Sequence, residues 1–170
     1  MKPVATAEVI VIGGGLPVYS AALHPARAGV SALVLEKNYV GRHASGVNAG
    51  GVRTLSRHEA EVPLALAAMD LWHRIAELVD DDCGFEIHGQ IRVAENEDDA
   101  QSLQQREARM RALGYTHERW IGRDELFARV PALARHCLGG LIAEGDGAAL
   151  PYQTTAAFRR KAESLGQRFF

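Results

Sequence analysis

The run Val9-Ile10-Val11-Ile12 leads directly into Gly13-Gly14-Gly15, and Glu36 follows the next apolar run, which ends at Leu35. Residues of these types in this order suit the holding of a dinucleotide. The first glycine permits a tight bend and the second lets the backbone come close to a pyrophosphate. A helix starting there turns N–H groups and the positive end of its dipole toward phosphate oxygens. An acid about 20 residues further on accepts from ribose hydroxyls. A glycine cluster alone says little, but strand, glycines, helix, strand and terminal acid in sequence are much more specific. The plainer alternative is a structural turn whose Glu36 is only a solvated strand end.

Such residues must be carried by a βαβ unit. Residues 9–12 predict a strand buried on both faces, residues 16–28 an Ala-rich helix closed by Gly29, and residues 31–35 a second strand. Residues 39–53, rich in Gly, Ser, Asn and Ala, predict a long loop of the kind that is usually functional. Val62, Leu66, Met69, Trp72, Ile75 and Leu78 recur at helical spacing and predict one helix over 59–79 with a single buried stripe. The character changes after Asp80-Asp81-Asp82. Residues 85–94 predict a strand pair or one long strand with a turn or bulge at Gly89, and residues 98–113 a charged helix ended by Gly114. A short strand over 118–121 and a short helix over 123–130, halted by Pro131, come next. A strand over 138–143, a turn at Gly145-Asp146-Gly147 and a helix over 152–165 capped by Gly166 complete the pattern. Phe169-Phe170 would open a further strand, so the chain is expected to stop within an element.

With 170 residues, 47% hydrophobic and 24% charged, the chain has the make-up of one globular domain with a real core. A net charge of −2 and a pI near 6.4 leave no electrostatic footprint for nucleic acid or an anionic membrane. The apolar run at 9–12 is too short for a signal peptide or a membrane span. Cys83 and Cys137 match no metal spacing and build no disulfide framework, which fits a reducing, cytoplasmic setting.

Residues 9–37, together with Ala44-Ser45-Gly46-Val47-Asn48-Ala49-Gly50-Gly51-Val52-Arg53, resemble the N-terminal region of the FAD-dependent D-amino-acid oxidase superfamily. The style is that of its glycine oxidase, sarcosine oxidase beta-subunit and hydrogen cyanide synthase members. His88-Gly89-Gln90-Ile91-Arg92-Val93-Ala94 is similar to the strand entering that family's substrate domain, and Gly145-Asp146-Gly147 with Pro151 to the return. The resemblance implies an α/β fold: a Rossmann-like FAD-binding domain with the start of an inserted α+β substrate domain, incomplete. It divides the chain into an FAD-binding part over 1–82, a partial substrate domain over 83–137 and a return over 138–170. It implies a flavoprotein oxidoreductase acting on the C–N bond of an amine or amino acid, with partner subunits of an oxidase complex among its expected contacts and no metal. It sets Gly13, Gly14, Gly15 and Leu16 against the pyrophosphate, Glu36 on the ribose and Lys37 beside the adenosine. The small residues Ala44, Ser45, Asn48, Ala49, Gly50 and Gly51 would pass close to phosphates and flavin.

The chain departs from the family pattern at several positions. Val18 stands where a third glycine is usual, at an expected cost of roughly 1–3 kcal/mol if nothing repacks. Pro17 removes an N–H from the helix start, and Pro25 in the helix interior is expected to cost about 3 kcal/mol through a kink. Arg42 and His43 replace small residues, and His43 could influence the flavin. Arg53 could grip a substrate carboxylate with a bidentate pair, against the alternative of an exposed ion pair. His24, His58, His73 and His117 read as surface or packing residues, Asp80-Asp81-Asp82 as a solvated turn, and Trp72 and Trp120 as core anchors. No catalytic residue can be named. Two other functions compete with the flavoenzyme: a truncated or decayed chain retaining at most nucleotide binding, and a nicotinamide-dependent dehydrogenase.

Overall fold

Short apolar runs pair as parallel strands where a helix returns the chain. The first elements do this: β1 (Val9–Ile12), α1 (Leu16–Arg27) and β2 (Ala32–Leu35) form a βαβ unit in the computed structural model, which describes residues 5–170. They are followed by α2 (Ala44–Val47), β3 (Gly51–Val52), a 3-10 turn (Glu59–Glu61), α3 (Val62–Trp72), α4 (Ile75–Val79), β4 (Glu86–Ile87) and β5 (Gln90–Ala94). The last elements are α5 (Glu97–Ala112), β6 (Arg119–Gly122), α6 (Arg123–Arg129), β7 (Gly139–Ala143), β8 (Gly147–Ala148), α7 (Pro151–Ser164) and β9 (Arg168–Phe169). The chain folds as two units. One holds the residues up to Gly50 with Arg74–Phe85 and Ala149–Phe170, and the other holds Gly51–His73 with Glu86–Ala148. These cuts differ from the divisions expected at 82/83 and 137/138: residues 51–73 and 138–148 fall in the second unit, and residues 83–85 in the first.

The first unit is a Rossmann-like layer. Its sheet runs β1-β2-β9, all parallel, with Val9 beside Ala32 and Val34 beside Phe169. β2 lies centrally, and Ala32, Leu33 and Val34 are buried. β1 was expected to be buried on both faces and is not: Ile10 is 59% and Ile12 80% exposed. β1 is an edge strand, and among the described residues nothing covers that face. Tyr19, Ala22 and Leu23 carry the buried side of α1, and the Tyr19 ring meets Phe169 at 5.5 Å. Pro25 lies inside α1 as expected, in its last turn, where the Ala21 carbonyl loses a donor while the Pro25 carbonyl still accepts from Val30 N–H at 2.9 Å.

The second unit is α+β. Its larger sheet, β5-β7-β6, is antiparallel, and every residue of β7 is buried. Alternation sends Leu141 and Ala143 into a cluster with Leu103 of α5, and Ile142 into one with Leu126 of α6. α5 begins at Asn96, whose side chain accepts from Asp99 N–H at 2.9 Å, and has three acids in its first turn and two arginines in its last. β4 and β5 confirm two strands about Gly89 but do not pair with each other: β4 joins β8 in the small sheet β3-β8-β4, and β5 joins β7.

Two further expectations need correction. The helix over 59–79 is interrupted at His73-Arg74, where Arg74 leaves helical geometry (φ −122°, ψ 28°) as the chain passes from one unit to the other. The loop over 39–53 contains α2 and β3. The Thr155 hydroxyl of α7 holds α2 by donating to the Ser45 carbonyl at 3.2 Å, and β3 pairs with β8.

Candidate functional site

The glycine turn between β1 and α1 is built by removing side chains. Gly13 sits at φ +120°, and its N–H donates to the Leu35 carbonyl at 2.8 Å, which brings the turn to the end of β2. A Cβ on Gly14 would stand 2.6 Å from Glu36 Cγ and Oε2, and one on Gly15 2.8 Å from Ser45 Oγ. Glu36 therefore lies over Gly14, and its Oε1 accepts from Asn38 N–H at 2.7 Å. Ser45 Oγ accepts from Leu16 N–H at 3.0 Å and so caps the start of α1 from a distant part of the chain. The N–H groups of Gly14 and Gly15 have no acceptor among the described residues. Side-chain-free backbone, outward N–H groups at a helix start and an adjacent carboxylate fit a dinucleotide bearing a diphosphate.

Val18 does not clash as expected. Its Cγ2 lies 3.3 Å from where a Gly13 Cβ would stand, so it occupies the space that this glycine leaves open. Beside the turn, Ile12, Gly13, Leu35, Glu36, Lys37 and His43 line a cavity of about 520 Å³. Arg42 is engaged elsewhere: it donates to Asn38 Oδ1 and lies over the Tyr39 ring at 5.9 Å.

The loop residues divide. Gly41 N–H donates to the Gly14 carbonyl at 2.8 Å, which ties the loop to the turn and brings Ser45 close. Gly46 lies against the Gly41 carbonyl, where no Cβ fits. Asn48 uses its side chain within the loop, donating to the Ala44 carbonyl and accepting from Gly50 N–H, each at 2.8 Å. Ala44 and Ala49 are exposed. Gly50, at φ +72°, packs on the Ala149 carbonyl. Gly51 belongs to the other unit, where it pairs with Ala148, and is not gathered with the rest.

A second constellation lies in the other unit. Arg53, Arg57, Glu61, Leu64, Met69 and Trp72 line a cavity of about 400 Å³. Arg57 Nε donates to the Arg53 carbonyl at 3.3 Å, and Arg53 makes no ion pair among the described residues. The segment between the two arginines is held from beneath by two buried carboxylates. Asp146 Oδ1 accepts from Thr54 N–H (2.8 Å) and Thr54 Oγ1 (2.7 Å), and Oδ2 accepts from Leu55 N–H (2.9 Å). Glu118 Oε2 accepts from Ser56 N–H at 3.0 Å, while Oε1 pairs with Arg106 Nε at 2.6 Å. Arg106 Nη2 in turn donates to the Arg57 carbonyl at 2.8 Å. Burial pushes the pKa of His117, against Glu118, below the ordinary histidine range. In sequence Asp146 reads as a turn residue and Glu118 as the start of a strand. The available signal was an acid set between glycines or next to an apolar strand, where only a buried donor justifies it.

The acidic triplet is not a free turn. Asp81 accepts from Gln153 and Arg160 of α7, and Asp80 from Lys161. Among the described residues no group of ligands could hold a metal ion, and no helix is long and apolar enough to cross a membrane. Cys83 and Cys137 are buried, and burial pushes the Cys83 thiol up to about 11.

Comparison with known proteins gives a consistent result. The family model described as FAD dependent oxidoreductase (DAO) matches residues 8–170. Glycine oxidase of Bacillus licheniformis is 31% identical over 173 residues, which take in 96% of this chain and 44% of the relative. The crystal structure of glycine oxidase from Geobacillus kaustophilus matches with a TM-score of 0.86 at 26% identity, covering 96% of this chain and 46% of that one. L-amino acid deaminase from Proteus myxofaciens, solved in complex with anthranilate, matches at 0.90 and 21% identity, covering 100% and 39%, a likeness of fold. The chain spans less than half the length of these relatives.

Proposed function

The chain belongs to the DAO family of FAD-dependent oxidoreductases, and from that premise we propose that the protein oxidises the C–N bond of an amine or amino acid. The observation that carries this reading is the Glu36 carboxylate lying over Gly14 beside an α1 start capped by Ser45. The N–H groups of Gly14 and Gly15, with the positive end of α1, would hold the diphosphate, and Glu36 would accept from the ribose hydroxyls. Leu16 at the helix start, Lys37 and the small residues Gly13, Ala44, Ala49 and Gly50 would border the same group. Asn48 would serve by shaping the loop. FAD, when bound, supplies the two-electron acceptor for the oxidation. The first unit carries the nucleotide. The second carries the substrate, whose carboxylate Arg53 would grip.

Family membership removes the nicotinamide-dependent reading. The cytoplasm is the setting we favour, supported by two buried, unpaired cysteines. Partner subunits of an oxidase complex belong to the same proposal. The test is to mix the 170-residue chain with FAD, desalt it and record its spectrum. Retained flavin bands support the reading. A colourless chain that still takes up ADP in calorimetry supports the alternative of a non-catalytic chain with residual nucleotide binding, and failure of both overturns the assignment of this turn.

A further inference from the structure

Arg53 and Arg57 border one cavity, and the three residues between them, Thr54, Leu55 and Ser56, give all their backbone N–H groups to two buried carboxylates. Asp146 is fully buried and Glu118 is 1% exposed. Burying a carboxylate is costly unless its charge is compensated: both Asp146 oxygens accept from this loop, while Glu118 accepts from it with Oε2 and faces the Arg106 charge with Oε1, which makes no hydrogen bond among the described residues, so two buried charges depend on one short loop. Ser56 is held at φ +57°, a left-handed conformation that a residue with a side chain rarely adopts unless its surroundings impose it. Arg106 closes the arrangement. It neutralises Glu118 and donates to the Arg57 carbonyl, so four consecutive residues are pinned through their main chain while the two outer arginine side chains stay at the cavity. Apart from the Thr54 hydroxyl, the two carboxylates hold backbone, and they therefore set where Arg53 and Arg57 start from.

We propose that Asp146 and Glu118 are positioning residues: they lock the Thr54-Leu55-Ser56 backbone and thereby fix the spacing of the Arg53 and Arg57 guanidiniums for a bidentate hold on one carboxylate. A carboxylate gripped by two preset guanidiniums gains over one gripped by two mobile side chains, because the ordering cost is met during folding. The inference rests on the reading of Arg53 as the grip for a substrate carboxylate, and the test separates the two.

The experiment uses the 170-residue chain, ¹⁵N-labelled, with the Nε–H signals of Arg53 and Arg57 assigned through Arg53→Lys and Arg57→Lys. The probe is 3-methylbutanoate, a carboxylate with an apolar tail for the Leu64, Met69 and Trp72 wall, and 3-methylbutanamide is the uncharged control. In the unaltered chain the Arg57 Nε–H, bonded to the Arg53 carbonyl, gives a shifted signal, and the carboxylate but not the amide moves both arginine signals. Asp146→Asn and Glu118→Gln are expected to collapse the Arg57 signal toward the free-arginine position and to weaken carboxylate binding by about tenfold, the scale of one or two lost hydrogen bonds. Thr54→Val, which removes only the hydroxyl donor to Asp146, keeps the test decisive if a carboxylate variant does not fold, and is expected to weaken binding by about threefold. Folded variants whose arginine signals and affinity match the unaltered chain overturn the proposal. If the unaltered chain ignores the carboxylate while the variants still lose the fixed Arg57 signal, positioning stands and the carboxylate reading fails.

Discussion

The Glu36 carboxylate lies over Gly14 so closely that a Cβ on that glycine would stand 2.6 Å from Glu36 Oε2. The atoms in the way are those of a side chain that can swing aside, so Gly14→Ala is expected to leave the fold standing and to displace Glu36 from the turn. Melting temperature would change by only a few degrees, the effect of about 1 kcal/mol. FAD affinity, read by flavin fluorescence quenching, would fall by at least about tenfold, since the methyl group also blocks close approach of phosphate to the turn.

Gly50 gives the opposite balance. It sits at φ +72°, and a Cβ there would run into the Ala149 carbonyl, which is backbone and cannot swing away. Gly29 has a similar φ of +75° but nothing within 4 Å. Gly29→Ala is expected to cost about 1–2 kcal/mol, the penalty of the left-handed conformation alone. Gly50→Ala would exceed that by about 2 kcal/mol or more through the added clash. Denaturant midpoints of the two variants measure the difference, and equal losses would refute the steric argument.

What the sequence disclosed and what it hid follow from the range of the interactions. The ends of α1, α5 and α7 were legible because Gly29, Gly114 and Gly166 take the left-handed conformations (φ +75°, +86° and +90°) that local sequence encodes. The glycine turn was legible because the bare backbone it needs is written in three adjacent residues. The exposure of β1 was not, because it depends on what packs over that face of the sheet and not on the run of valines and isoleucines. α2 was missed because its support comes from Thr155, 110 residues away. Asp146 and Glu118 were passed over because the N–H groups they satisfy lie 92 and 62 residues back, on Thr54 and Ser56. Val18 read as a misfit because the space it fills belongs to Gly13.

Cys83 is fully buried, its N–H donates to Asp81 Oδ1 at 2.7 Å, and burial pushes its thiol up to about 11. Only the thiolate reacts with thiol reagents, so at mildly alkaline pH the native chain holds a very small reactive fraction. A chromogenic disulfide reagent is expected to find no fast-reacting thiol in the native chain and both cysteines in denaturant. Rapid native labelling of Cys83, located by mass spectrometry, would contradict the burial on which the prediction rests.

His117 is expected to make the second unit less stable in acid. Its side chain is 8% exposed and lies 3.7 Å from Glu118 Oε2. Burial lowers its pKa, Glu118 and Asp146 oppose that shift, and Arg106 reinforces it; the net direction is downward. An unfolded histidine takes its proton near pH 6.5, so below that value the unfolded chain binds a proton that the folded chain resists. The contribution of neutral His117 to stability is therefore complete above about pH 6.5 and is lost as pH falls through the depressed folded value. Denaturant midpoints are expected to drop as pH is lowered from about 7 toward 5, and His117→Phe is expected to flatten that part of the profile. An unchanged slope in the folded variant would mean that another group titrates there, and a rise in stability on acidification would mean that Glu118 holds the imidazolium and that the sign is reversed.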